Sequence, residues 1–408
     1  MIDLLAREAT TPGWHDAAAY WGRLTDAVSD VSGPCAVVEL DALRHNALDM
    51  LVRARGVPIR IATKSVRVRE VLDATLALPG YAGLLAYTLP EALWLAEAHD
   101  DIVVGYPSAD RGALARLAAD ERAAARVTIM VDDPAQLDLL DAVAAPTARC
   151  EVRVAVDADA SWRSAALGHV GVRRSPLFAA ADVARLARAI VARPGFRLVG
   201  LMMYEAQIAG QPDAVGTDAP VMRWMKRRSA AELHDRRAGI VAALREIAPL
   251  EFVNGGGTGS LESTASDRSV TELTAGSGLL AGHLFDGYRG FHPAPASAFA
   301  LEVVRRPAPD MVTVLGGGWI ASGPPTPSRQ PAPVWPKGLR TLAREAAGEV
   351  QTPLRGASAG SLAIGDRVWF RHAKSGETAE HVDGVLLVAD GEIAGEAPTY
   401  RGEGKAFL

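Results

Sequence analysis

The sequence predicts an α/β fold, a (β/α)8 TIM barrel with a C-terminal mainly-β domain, on three observations. Between residues 58 and 274, short apolar segments that read as strands alternate with helical patterns, and the strand candidates number eight. From about residue 295 strand patterns continue but helices stop separating them. Glycine-rich turns follow the seventh and eighth strand candidates.

Residues 1–35 form an N-terminal helical segment, with apolar residues at helical spacing over 15–28 and a break at Ser32-Gly33-Pro34. AVVEL at 36–40 is a short strand, and Asp41 caps a helix carrying Leu43, Leu48 and Leu51 on one face. The eight strand candidates are 58–62, 83–87, 102–105, 127–131, 150–156, 196–203, 251–253 and 271–274. Helical patterns at 67–76, 90–98, 111–119, 134–142, 177–192 and 222–247 separate most of them. Such alternation argues for parallel βαβ units, and eight strands close a barrel. A doubly wound open sheet is the alternative, but it places its glycine-rich turn after the first strand. Here that turn comes after the seventh.

The barrel domain is therefore expected over 36–295 and the β domain over 296–408. Strands are expected at 298–305, 311–315, 367–372, 385–389 and 392–394, with a hairpin turn at Ala389-Asp390-Gly391. The Pro-rich segment ASGPPTPSRQPAPVWPKG, starting at Ala321, is expected as a long irregular loop, because proline removes backbone donors.

Composition narrows the function. The 408 residues are 49% hydrophobic, enough for a large core, and carry a net charge of −5. That charge argues against a nucleic-acid or acidic-membrane partner. Cys35 and Cys150, the only cysteines, sit in or beside apolar runs and read as buried thiols. The N-terminus lacks a basic region followed by an apolar stretch, and no apolar run is long enough to span a bilayer. A soluble, cytoplasmic protein is the expectation.

Lys64 ends the first barrel strand, in IATKSVRV, at the barrel face where chemistry sits. It is either a solvated lysine at a strand end or an amine that forms a Schiff base with a carbonyl cofactor. Asn254-Gly255-Gly256-Gly257-Thr258-Gly259-Ser260 follows the seventh strand, and Ala275-Gly276-Ser277-Gly278 the eighth. Loops in these positions form the usual phosphate site of a barrel. A lysine and a phosphate cup together suggest pyridoxal 5′-phosphate (PLP), an aldehyde that carries a phosphate. An arginine of the stretch 156–176, which holds Arg163, His169, Arg173 and Arg174, is a candidate partner of the pyridine nitrogen; the alternative for that stretch is a capping loop. Tyr204 and Glu205 end the sixth strand, where Tyr204 either meets a cofactor ring or closes the barrel top. Glu205, Gln207 and the segment around Trp335 are candidates to line a substrate pocket. His372 and Lys374 lie in the β domain.

These stretches resemble the fold-type III PLP enzymes, and within them the D-threonine aldolase/D-serine dehydratase branch, relatives of alanine racemase. The resemblance covers nearly the whole length and rests on AVVELDALRHNALDM, IATKSVRV, GLMMYE, NGGGTGS, TELTAGSGLLAGHLFD and GDRVWFRHAKSGE. It implies a Schiff base at Lys64, phosphate binding by Gly256, Gly257, Thr258, Gly276 and Ser277, and a partner for the pyridine nitrogen at Arg163 or, on the other alignment of the family's pattern, His169. It implies a homodimer with sites completed by the partner's β domain. It implies a lyase acting on a small β-hydroxy D-amino acid, by retro-aldol cleavage to glycine and an aldehyde. Dehydration to a 2-oxo acid is the alternative, then racemisation, then non-catalytic PLP binding. His372 is the expected handler of the β-hydroxyl proton. In this branch a divalent metal is held by a His followed two positions later by Cys or Asp. His372 matches the first, but Lys374 stands at the second, and an ammonium is not a ligand. A metal at His372 is thus in question, and Lys374 is the expected replacement for its charge.

Overall fold

The computed structural model describes residues 2–5, 13–374 and 376–408. Residues 1 and 6–12 of the expected N-terminal helical segment, and Ser375 of the GDRVWFRHAKSGE motif, lie outside the described residues. The chain forms two compact units, Met50–Thr63, Pro79–Gly276 and Phe407–Leu408 in one, and Met1–Asp49, Lys64–Leu78 and Ser277–Ala406 in the other.

The first unit holds the barrel. Among the described residues eight parallel strands close on themselves: Ile59–Ala62, Tyr81–Ala86, Ile102–Val104, Val127–Val131, Val152–Asp157, Phe196–Met203, Phe252–Gly255 and Glu272–Ala275. Closure pairs the eighth with the first, Leu273 opposite Ile59 and Ala275 opposite Ile61. The interior is packed by Val103, Met130, Ala155, Val199, Met202 and Phe252. Gly200 makes room for this filling, because a Cβ there would stand 2.3 Å from the Phe252 ring. Buried Arg60 pairs with Glu272 at 2.8 Å and Asp101 at 3.0 Å. Their carboxylates offset the cost of burying its charge.

The second unit holds a nine-stranded sheet among the described residues. Cys35–Glu39, expected at the head of the barrel domain, belongs to this sheet instead. It pairs antiparallel with Ser297–Ala308 and parallel with Gly384–Ala389. All five of its residues are buried, which explains why the run is apolar without alternation. The helix Ala17–Ala27, capped by Asp16, lays Tyr20, Trp21 and Leu24 on this sheet beside Trp369. The Trp369 indole N–H donates to Thr25 Oγ1 at 2.9 Å.

The Pro-rich segment is not wholly irregular. Ala332–Trp335 is a strand paired antiparallel with Arg367–Arg371, with Pro333 opposite Phe370 and a register shift before Trp335. It pairs on that one side alone among the described strands, so the missing proline N–H breaks no ladder. Strand Gln351–Arg355 and the ribbon of Trp162–Ser164 with Gly168–Val170 are further additions to the expected elements. Cys35 is buried as expected, whereas Cys150 is half-buried, and neither forms a disulfide. Among the described residues no helix is long and apolar enough to cross a membrane.

Candidate active site

In the barrel unit the loop after the seventh strand is built on Glu205. This carboxylate is 1% exposed. It accepts from the Gly256 N–H at 3.2 Å and Ser260 Oγ at 3.1 Å, and also from Thr264 Oγ1. Arg237, itself fully buried, donates to Glu205 at 3.3 Å and Asp267 at 2.6 Å. The Gly257 N–H donates to Ser260 Oγ at 3.1 Å, and the Thr258 carbonyl accepts from Arg53 at 2.5 Å. Glu205 is thus a foundation of the loop and not a pocket-lining acid. Gln207 is likewise structural, donating to the Ala160 carbonyl at 2.7 Å and Ser229 Oγ at 2.9 Å. The N–H groups of Gly256 and Gly257 are turned to these internal acceptors, which the glycine pattern alone did not reveal.

The glycines serve close approach. A Cβ on Gly257 would lie 2.8 Å from Ala209 Cβ and 3.3 Å from the Tyr204 ring. A Cβ on Gly276 would lie 2.4 Å from the Ala62 carbonyl oxygen, at the end of the first strand. Only glycine lets these loops pack so tightly. Because the barrel strands are parallel, the loops that follow them emerge at one end. Thr63 and Lys64 continue directly from the first strand.

At the ends of the intervening strands stand Tyr106, Asp132, Asp157 and Tyr204. Burial pushes the Tyr204 hydroxyl up to about 12, so it stays protonated. Burial, then the neighbouring Asp132, raises Asp157 to about 7, with Arg174 pulling the other way. The Arg174 guanidinium lies 5.6 Å from the centres of both the Tyr106 and Tyr204 rings. Arg163 and His169 face each other across the ribbon after the fifth strand. Arg163 stacks 3.7 Å over Phe178 and lies 3.9 Å from Asp159; His169 Nε2 is 3.3 Å from the Val172 carbonyl. They line a cavity of about 650 Å³ together with Asp159, Arg173 and Ser175. The cation beside the Tyr204 ring is Arg174, which the sequence places in the same stretch as Arg163 without setting it apart. Its signal was available only through the fold: it faces the first residues beyond the strand ends.

In the second unit Lys64 is exposed, within the single turn Thr63–Ser65. Its carbonyl accepts from Arg67 Nε at 2.9 Å. Gly376, with φ +100°, packs against the same carbonyl. Arg67 also pairs with Glu380. Burial raises the Glu377 carboxyl, while a hydrogen bond from its own backbone, then Lys374, Arg67 and Lys64, pull it down. Ser277 opens the short helix Ser277–Leu280, which Asn46 anchors by donating to the Leu279 carbonyl at 2.9 Å. His372 is 1% exposed. Burial, then Arg371 and His283, lowers it to about 3, so the imidazole is neutral. Its Nδ1 is buried. Its carbonyl accepts from the His283 N–H at 2.9 Å. Among the described residues no group of three or more His, Cys, Asp and Glu is placed to hold a metal ion. Among the described residues, the side chains that act on His372 do not fit a metal: Arg371 is a cation, and His283 Nε2 is 2.8 Å from the Gln330 carbonyl.

The alanine racemase N-terminal domain family matches residues 38–249, which hold the first six barrel strands, Lys64 and Tyr204. The chain belongs to this family. Within it, the chain is 29% identical over 252 residues to the 3-hydroxy-D-aspartate aldolase of Paracoccus denitrificans, covering 61% of this chain and 60% of that protein. It is 28% identical over 306 residues to the D-threonine aldolase of an Arthrobacter species, covering 72% of this chain and 73% of that protein. The match thus spans less than two thirds of the hydroxyaspartate relative. The crystal structure of D-threonine aldolase from Filomicrobium marinum superposes with a TM-score of 0.76 at 22% identity, covering 92% of this chain and 96% of that one. This last likeness establishes the family's barrel and β-domain fold.

Proposed function

We propose that the chain is a PLP-dependent lyase that cleaves small β-hydroxy D-amino acids by retro-aldol reaction, giving glycine and an aldehyde. The observation that carries this reading is that its family relatives above are aldolases acting, by their names, on 3-hydroxy-D-aspartate and D-threonine.

The residues present fit PLP. Thr258 and Ser277, in the loops after the seventh and eighth strands, would each offer a hydroxyl to its phosphate. Lys64 would hold the aldehyde end. Arg174 or, from the ribbon, Arg163 or His169 would face the pyridine ring, and Tyr204 would donate a hydrogen bond from a hydroxyl that stays protonated. Bound there, the cofactor would supply an electron sink for the bond broken at Cα.

The chain's own groups then divide the work. Lys374 offers an ammonium to the substrate carboxylate. His372, held neutral, offers an unprotonated ring nitrogen to the β-hydroxyl proton. No step is routed through a metal, because the groups around His372 do not fit one. The same reading has a homodimer, on the family likeness.

The test is a screen of D- and L-threonine, D-serine, 3-phenylserine and 3-hydroxyaspartate with the PLP-loaded protein, with and without chelator. Aldehyde and glycine from the D-isomers support the reading. A 2-oxo acid with ammonia, or inversion with exchange in heavy water, contradicts it.

A further inference from the structure

We propose that Lys226 is a positioning residue that, through Asp213, latches the segment 211–218 as a flap beside Tyr204 and the glycine loop. The segment joins the short turn Ala206–Ala209, which follows Glu205, to the helix Ala219–Arg245. Its first end starts at the site. A Cβ on Gly257 would meet Ala209 Cβ at 2.8 Å and the Tyr204 ring at 3.3 Å, and a Cβ on Gly210 would stand 4.0 Å from the Tyr204 hydroxyl. The turn itself is fixed, because Gln207 donates to the Ala160 carbonyl at 2.7 Å and to Ser229 Oγ at 2.9 Å. Gly210 is therefore the first residue free to act as a hinge.

Beyond it, the segment is held by the helix that follows. Lys226 Nζ donates to Asp213 Oδ2 at 3.0 Å, and Arg223 Nη1 donates to the Asp213 carbonyl at 2.7 Å. Arg223 and Lys226 are three residues apart, so both reach Asp213 from one helix face. The ion pair is largely out of water, its lysine and aspartate side chains 10% and 18% exposed. A lysine is rarely buried without such a partner. Residues 214–218 are exposed, Val215 at 57%. Among the described residues of 211–218, only Asp213 forms a hydrogen bond beyond the segment and the first turn of the helix. A segment tied at one residue opens locally at a cost far below that of unfolding the barrel. Loops that close over a site set how fast ligands enter and leave it. No bond is made or broken at Lys226 in the reaction, and it acts through Asp213 on how often the flap is open.

The bearing of the flap on the cofactor rests on the glycine loop being the phosphate site, so the first measurement uses protein without cofactor. Hydrogen–deuterium exchange is followed by peptide mass spectrometry. Lys226→Met should speed exchange of the peptide spanning 211–218 about tenfold, as for the loss of one charge-assisted hydrogen bond, and leave the barrel strands unchanged. Lys226→Arg should restore the original rate. Unchanged exchange in Lys226→Met, or an equal rise across the barrel strands, overturns the proposal. If Lys226→Met does not fold, Asp213→Asn, which keeps the carbonyl contact with Arg223, decides it by the same two outcomes. The second measurement is the release of PLP from loaded protein, which should quicken about tenfold in Lys226→Met. Faster exchange with unchanged release also overturns the proposal, since the segment would then not guard the site. A protein that takes up no PLP contradicts the proposed function alone, and exchange still decides the latch.

Discussion

The backbone of Gly376 lies against the carbonyl oxygen of Lys64, so close that a methyl group on Gly376 would stand 2.2 Å from that oxygen. At φ +100° the position also disfavours any L side chain. Gly376→Ala should therefore cost about 1–3 kcal/mol of stability through backbone strain alone. It should also weaken cofactor retention, since the loop must move off Lys64. Urea unfolding and the PLP content of the purified variant measure both. A variant with normal stability and full cofactor would show that the contact is not tight.

Arg237 is the second structural test. It is buried between Glu205 and Asp267, and Glu205 carries the glycine loop. Removing one partner of a buried ion pair costs about 3–5 kcal/mol, because the other charge is left uncompensated. Arg237→Met should lower the urea midpoint accordingly. A loss below about 1 kcal/mol would mean that the carboxylates find other partners.

Arg174 and Arg163 make opposite predictions about the cofactor ring. Arg174 lies over Tyr204, whereas Arg163 is exposed and stacked on Phe178. Arg174→Leu should weaken PLP binding about tenfold, the loss of one charge-assisted hydrogen bond. Arg163→Leu should leave binding within about twofold, as for a surface change. Cofactor titration followed by visible absorbance distinguishes them. The reverse order would return the role to Arg163.

Asp157 gives a pH dependence. Its carboxyl is raised from 3.8 to about 7 in the folded protein. Between those values the native state binds more protons than the unfolded state, so this group makes stability fall as pH rises. Above about pH 7 the cost is complete, and below 3.8 it is absent. Asp157→Asn should therefore gain stability relative to the unaltered protein at pH 7.5 but not at pH 4. Urea unfolding at both values tests this. An equal difference at the two would mean that Asp157 titrates normally.

The barrel strands were legible because they are short runs rich in apolar residues, most of them separated by a helix pattern, and parallel burial on both faces demands that signal. The cysteine-led strand at 35–39 was legible as a strand but not as a member of the other sheet. Its burial on both faces looks the same in either setting. Ala332–Trp335 was hidden by its prolines, which an edge position tolerates. In the candidate site Lys64 and the two glycine loops could be read from their places after strands. Glu205 could not be distinguished from a pocket acid, because its partners Arg237, Ser260 and Thr264 lie 32 to 59 residues away. Arg174 could not be set apart from Arg163 and Arg173 for the same reason: Tyr106 and Tyr204 are brought near it only by the fold.

The account turns on Lys64 as the residue that holds PLP. The protein is loaded with PLP, reduced with borohydride to fix the cofactor to the amine that carries it, digested and mapped by mass spectrometry. The pyridoxyl mass should appear on the peptide containing Lys64, and Lys64→Ala should lose both that adduct and the visible absorbance. An adduct on another lysine, or none, would contradict the account.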